Sequence, residues 1–225
     1  TIYFGFLVVN NDGVMYDLIN QLKRQIQILV HSTKEIPERA LQMYKGNYKE
    51  GSVRTLQYQE CLLRAFRETM EHHSIIVSYR KNLNRFLGPY LLMLMLGSCV
   101  TIGAGILMAK NFRPTGNGLF VFICSMVYLL NGLLNIFLYS TMSEQLSTAN
   151  EEFSITLYNL KWYEYNISFR KMLIIVQNFT QHQNFRLVVL GIVSFSHSTF
   201  SEILKTSYSF FNLAVATGQS KLKAD

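Results

Sequence analysis

Polar and apolar positions along this chain fall into two regimes. In the first, charge disappears altogether. Phe86 to Ala109, 24 residues between Arg85 and Lys110, includes LLMLMLGSCVTIGAGILM. The 30 residues between Arg113 and Glu144 include LFVFICSMVYLLNGLLNIFLY. A bilayer core of about 30 Å is crossed by roughly 20 helical residues. Neither run keeps the polar stripe of a helix that faces water. Transmembrane helices are therefore predicted over 86–109 and 116–143. In the second regime apolar residues recur at helical spacing among polar ones. One stripe runs Val14, Leu18, Leu22, Ile26, Leu29; another Leu63, Phe66, Met70, His73, Val77; a third Leu146, Ala149, Phe153, Leu157, Leu160. These predict that the spans continue outside the membrane as amphipathic helices sharing an apolar seam.

Both ends of the chain are also apolar. Thr1 to Asn11 is uncharged and predicts the remnant of a further span, so the chain is expected to be the C-terminal piece of a longer polypeptide. Leu187 to Ser201 is uncharged, Glu202 and Lys205 follow, and Thr206 to Ser220 is uncharged again. One helix over this stretch would be about 51 Å long at 1.5 Å per residue, too long for the hydrocarbon core. A charge in mid-membrane costs roughly 2.5–3.5 kcal/mol. Glu202 and Lys205 are therefore expected at a membrane face. The span begins near Ile203, and the part before it packs in a protein-only bundle. Pro37, Gly46 and Gly51 mark the polar stretch from about Thr33 to Gln59 as a flexible loop.

Composition agrees: 49% hydrophobic residues and a mean hydropathy of +0.15 suit long apolar helices joined by polar segments. The net charge of +7 does not imply nucleic acid, because no basic cluster reaches five residues. It follows membrane topology instead. Lys23, Arg24, Arg80, Lys81 and Arg85 flank the segment from Leu18 to Arg85, against Lys110 and Arg113 in the short loop between the two long spans. That bias puts the first segment in the cytoplasm and the C-terminus outside. The acceptor patterns Asn166-Ile-Ser168 and Asn178-Phe-Thr180 would then lie in the cytoplasm and carry no glycan.

Candidate chemistry is sparse. Cys61, Cys99 and Cys124 are widely spaced and are expected as interior thiols. His72, His73, His182 and His197 have no cysteine or carboxylate at metal-ligand spacing, so no metal, cofactor or catalytic site is expected. Glu151 and Glu152 are expected on a solvated or inter-subunit face.

The last hundred residues carry a more specific pattern. Tyr158 and Trp162 form Y-x-x-x-W, followed by Arg170-Lys171 and the run MLIIV. Ser196-His197-Ser198-Thr199-Phe200 follows, then SEILKTSYSFF from Ser201 to Phe211. The string EHHSII, Glu71 to Ile76, lies upstream. The sequence resembles the C-terminal region of the insect odorant receptors, seven-helix olfactory receptors unrelated to G-protein-coupled receptors. The resemblance covers nearly the whole chain, as helices four to seven. It departs at TQHQNF, where the usual proline is missing, and in the tail GQSKLKAD.

The resemblance implies an all-α, polytopic transmembrane helical bundle with cytoplasmic helical extensions. Its parts would be a partial helix four and its extension (1–30), a cytoplasmic loop and helix (31–85), helix five (86–109), helix six (116–143), a cytoplasmic anchor (144–202) and a pore-lining helix seven (203–220). It implies no enzyme. It implies an odorant-gated, non-selective cation channel, a heterotetramer with a shared co-receptor, in the plasma membrane of olfactory sensory neurons. Small volatile or apolar ligands would bind beside Tyr3, Phe4 and Phe6 on helix four and Phe122, Met126 and Tyr128 on helix six. Aromatics and methionine suit a ligand with few hydrogen-bonding groups. Tyr158, Trp162, Phe169 and Leu173 would pack in the anchor. Phe211, Asn212 and Val215 would line the pore and its gate. The alternative weighed against this is a fragment of a G-protein-coupled receptor or a transporter. The inverted orientation and the lack of D-R-Y or N-P-x-x-Y speak against it.

Overall fold

A computed structural model describes the backbone of residues 2–44, 55–110, 118–183, 185–189 and 191–222. Side chains are described over 12–44, 55–105, 118–183, 185–189, 191–209 and at 212. Six helices dominate: α1 (Ile2–Lys34), α2 (Ile36–Met43), α3 (Leu56–Lys110), α4 (Gly118–Tyr158), α5 (Ile167–Gln181) and α6 (His197–Leu222). A 3-10 turn, Trp162–Glu164, precedes α5. Strands β1 (Val188–Val189) and β2 (Val193–Ser194) form a small antiparallel hairpin before α6. Among the described residues two helices, α3 and α4, are long and apolar enough to cross a membrane. The chain divides into two compact units, each made of two sequence segments: Thr1–Leu83 with Gln145–Phe185, and Asn84–Glu144 with Arg186–Asp225.

The first unit is built on amphipathic stripes. On α1 the buried positions are Met15, Ile19, Leu22, Ile26 and Leu29. They alternate steps of three and four, the spacing of a narrow helix–helix seam. The expected stripe is therefore displaced at its start: Val14 is exposed, and the face turns through Met15 and Ile19. On α3 the seam is Leu62, Ala65, Phe66, Thr69, His73 and Ile76. Leu63, Met70 and Val77 only flank it. On α4 the expected positions Leu146, Ala149, Phe153 and Leu157 are buried, and so is Leu160 just past its end.

The predicted loop from Thr33 to Gln59 contains α2. Pro37 stands in its first turn, where a missing N–H costs nothing, and Ile36 and Ala40 are buried. Arg39 fixes α2 to α3, with Glu68 Oε2 at 2.8 Å and Thr69 Oγ1 at 3.2 Å. Gly46 and Gly51 lie outside the described residues.

In the second unit the continuations of α3 and α4 approach closely at small residues. A side chain added at Gly105 would start 2.9 Å from Leu129 Cδ1, and one at Gly132 would start 3.0 Å from Thr101 Oγ1. Small residues let helix backbones come together where lipid supplies no hydrophobic drive. Pro89 interrupts one backbone hydrogen bond of α3, close to where its uncharged run begins.

The stretch from Leu187 is not bundle helix. The sequence VVLGIVS is rich in β-branched residues around a glycine, which suits strands. Gly191 takes φ +78° at the third position of a turn closed by Ile192 N–H to the Val189 carbonyl, 2.9 Å. That conformation is open to glycine and strained for other residues.

Candidate functional site

Three groups of residues were expected to carry function. The first is the ligand face. The backbone of α1 covers Tyr3, Phe4 and Phe6, but their side chains lie outside the described residues. On α4, Phe122 and Met126 are half-buried and share one face, four positions apart. Tyr128 is 65% exposed, because a step of two residues turns about 200° around a helix at 3.6 residues per turn. The structure therefore separates Tyr128 from the other two. The inward face of α4 in this unit is formed by Ser125, Ile136, Tyr139, Ser140 and Ser143. Tyr139 is fully buried, its hydroxyl 3.5 Å from that of Tyr90 and its ring 6.4 Å from Phe195. The sequence reading missed this tyrosine pair, since two tyrosines 49 positions apart carry no periodic signal.

The second group is α6. Ile203 and Ser207, four apart, are buried on one edge, while Tyr208 and Asn212 are exposed. The Phe211 and Val215 side chains lie outside the described residues. The S-x-x-T-F motif has a structural explanation. Ser196 caps the helix: Thr199 N–H donates to its Oγ at 3.1 Å, and Thr199 Oγ1 donates back to the Ser194 carbonyl at 2.7 Å. The pattern is a variant of the capping box. It ties the first turn of α6 to β2.

The third group is the anchor. Phe169 and Leu173 are buried on α5. The Phe169 ring lies 4.8 Å from Phe66 and 4.9 Å from Tyr165, and its N–H donates to the capping Asn166 Oδ1 at 2.9 Å. Trp162 is half-buried on the 3-10 turn, and Tyr158 is 60% exposed. The four expected residues thus split into a packed pair and an outer pair. A cleft of about 410 Å³ nearby is lined by Lys34, Tyr58, Asn159, Lys161, Glu164 and Tyr165, among others. Pro37 and Leu160 share the lining with these polar and charged groups. Burial first, then Tyr58, Glu164 and Tyr163, push the Tyr165 hydroxyl up to about 12, so it stays protonated. Among the described residues no three His, Cys, Asp or Glu side chains converge as metal ligands.

These helices, with their paired amphipathic and uncharged stretches, are matched by the sequence model of the 7tm odorant receptor family over residues 2–208. The chain belongs to that family. It is similar to "Putative odorant receptor 85d" of Drosophila melanogaster, 26% identical over 146 residues, which cover 64% of this chain and 34% of that protein. It is also similar to "Odorant receptor 85b" of the same species, 24% identical over 147 residues, 65% of this chain and 36% of that protein. The matched stretch thus spans about a third of each relative's length. This odorant receptor family chain is an all-α membrane protein.

Within the receptor, α5 has a second apolar face. Ile167, Ile174, Ile175 and Phe179 are all exposed, at 68%, 66%, 69% and 54%. Phe169 and Leu173 point the other way. The sequence reading passed over this face, because MLIIV looks the same whether one side or both are covered.

Proposed function

We propose that this chain forms helices four to seven of one subunit of an odorant-gated, non-selective cation channel. The subunit assembles with a shared co-receptor as a tetramer in the plasma membrane of olfactory sensory neurons, with its C-terminus outside. The observation that carries the reading is the doubly apolar α5. One face is used within its own unit, and the other offers Ile167, Ile174 and Ile175 to water, with Phe179 at its edge against His73. An exposed apolar patch of this kind fits a protein–protein contact, and a channel built around a central axis requires one in every subunit. The first unit, with its cytoplasmic flanking charges, is then the anchor between subunits. The second contributes the ligand face, around Phe122 and Met126, and the pore helix α6. Asn212, Phe211 and Val215 would face the conduction path, where an apolar ring closes a pore by dewetting.

The test is electrical. Full-length receptor is expressed with its co-receptor and challenged with a panel of volatile esters, ketones and alcohols. Odorant-evoked cation current is expected, and Phe211→Ala or Val215→Ala should raise the current recorded without odorant. Unchanged basal current and ion selectivity in both variants, at normal surface delivery, would remove these residues from the gate. Absence of any evoked current in the wild-type complex would remove the channel reading.

A further inference from the structure

The hairpin before α6 contains an incomplete rung. Leu187 and Phe195 are the next antiparallel pair after Val188–Ser194 and Val189–Val193. A hydrogen-bonded pair of this kind exchanges two backbone bonds. One is present, from Phe195 N–H to the Leu187 carbonyl at 2.8 Å. The other is relayed through α4. Leu187 N–H donates to Ser143 Oγ at 2.9 Å, and Ser143 Oγ donates to the Phe195 carbonyl at 2.6 Å. Ser143 is fully buried, and so are Leu187 and Phe195 to within 1%. One hydroxyl of α4 therefore holds both legs of the hairpin.

The next residue adds a second tie, Glu144 Oε2 to Arg186 Nη2 at 3.0 Å. From α3, Asn84 Nδ2 donates to the Arg186 carbonyl at 3.4 Å. Beyond Phe195 the connection to α6 is stiff: Ser196 and Thr199 lock β2 to the first helical turn, and the Phe137 ring of α4 lies 5.7 Å from Phe200.

From these contacts we infer that Ser143 is a coupling residue, which transmits displacement of α4 through the hairpin to the start of α6. The inference rests on the channel reading above. Its physical basis is that the rung has two good arrangements. With the hydroxyl inserted, the hairpin is fixed to α4. If α4 shifts along its axis and withdraws the hydroxyl, Leu187 N–H and the Phe195 carbonyl can bond directly, so no buried backbone group is left unpaired. Interfaces with two discrete packings amplify small displacements rather than absorbing them. Met126, on the proposed ligand face, lies 17 residues up the same helix, about 26 Å at 1.5 Å per residue. A continuous helix carries a shift over that length.

The test uses the full-length receptor with its co-receptor and the most effective member of the volatile panel. Ser143→Ala should change the half-maximal odorant concentration by roughly tenfold, within the usual range of coupling between sites. Surface delivery and single-channel conductance should stay as in the wild type, which a purely structural loss would not predict. Glu144→Arg and Arg186→Glu should each shift the response, and the double variant should move back toward the wild type. If Ser143→Ala fails to reach the surface, the charge-reversal set decides alone. Wild-type half-maximal concentration in Ser143→Ala at normal delivery, or a double reversal no better than the sum of its singles, would overturn the relay. A wild-type complex silent to the whole panel overturns the channel reading and the relay with it. A responsive wild type with indifferent variants overturns the relay alone.

Discussion

Replacing His73 by phenylalanine should make the first unit more stable and remove a large part of its sensitivity to acid. His73 is 5% exposed on α3. Its ring stacks on Phe153 at 4.9 Å and meets Phe179 edge-on at 6.3 Å, and its Nε2 has no hydrogen-bond partner among the described residues. Burial, then the neighbouring His72, lower its pKa from 6.5 to about 4. Between those values the unfolded chain binds a proton that the folded chain refuses. The stabilisation is therefore complete above pH 6.5 and lost as pH falls toward 4. At about 1.36 kcal/mol per tenfold change in proton affinity, the full effect is about 3 kcal/mol. By pH 5 about 2 kcal/mol is gone. For a unit of this size 1 kcal/mol corresponds to roughly 2–4 °C in melting temperature, so the wild type should lose roughly 4–8 °C from this residue between pH 7.5 and pH 5. His73→Phe keeps the ring stack and has no ring to protonate. At pH 7.5 it should gain about 1 kcal/mol by removing an unpaired buried nitrogen. The assay is thermal unfolding of the purified receptor complex in lipid nanodiscs at the two pH values. Acid effects of other groups cancel in the difference between variant and wild type. Equal melting-temperature losses in both proteins would refute the assignment.

Three further outcomes are expected. Phe169→Ala should destabilise the first unit by roughly 3–5 kcal/mol, lowering its melting temperature. Ile174→Ser with Ile175→Ser should leave the melting temperature nearly unchanged but reduce recovery of the assembled complex; the reverse pattern would exchange the roles given to the two faces of α5. Gly105→Ile should push α3 and α4 apart where Leu129 approaches and reduce surface delivery, at a cost of roughly 1–3 kcal/mol. Gly103→Ile, with nothing within 4 Å, should be delivered normally, and equal delivery of both would argue against close packing at Gly105.

Helices were legible wherever apolar spacing persisted. The seam of α4 from Leu146 to Leu157 is buried as its period requires. On α1 and α3 the period was right but the face was off by part of a turn, because apolar residues also occupy flanking positions and a stripe does not say where its centre lies. The hairpin was hidden inside an uncharged run, since lack of charge marks burial and not its geometry. Ser143 was invisible for a related reason. A serine in an apolar helix has no period, and its value comes from two backbone groups 44 and 52 positions away. Tyr128 lies off the face shared by Phe122 and Met126 because composition, not angle around the helix, had selected it. Phe169 and Leu173 were legible as buried positions because they sit four apart on an amphipathic helix.

The interleaved make-up of the two units sets a schedule for synthesis. Residues 1–83 supply the larger part of the first unit, and the remainder, 145–185, is complete only about 100 residues later. In between, the ribosome must deliver both long apolar stretches to the bilayer. At about 5–20 residues per second, the seam of Leu62, Phe66 and Ile76 waits roughly 5–20 seconds for Phe153, Leu157 and Phe169 to arrive. In the proposed topology that wait takes place on the cytosolic side, with an apolar helix face uncovered. On that topology, nascent chains of this receptor are expected to depend on cytosolic chaperone cover as well as on the insertion machinery. Slowing translation between residues 84 and 144 should lower the yield of folded receptor even though no residue has been changed.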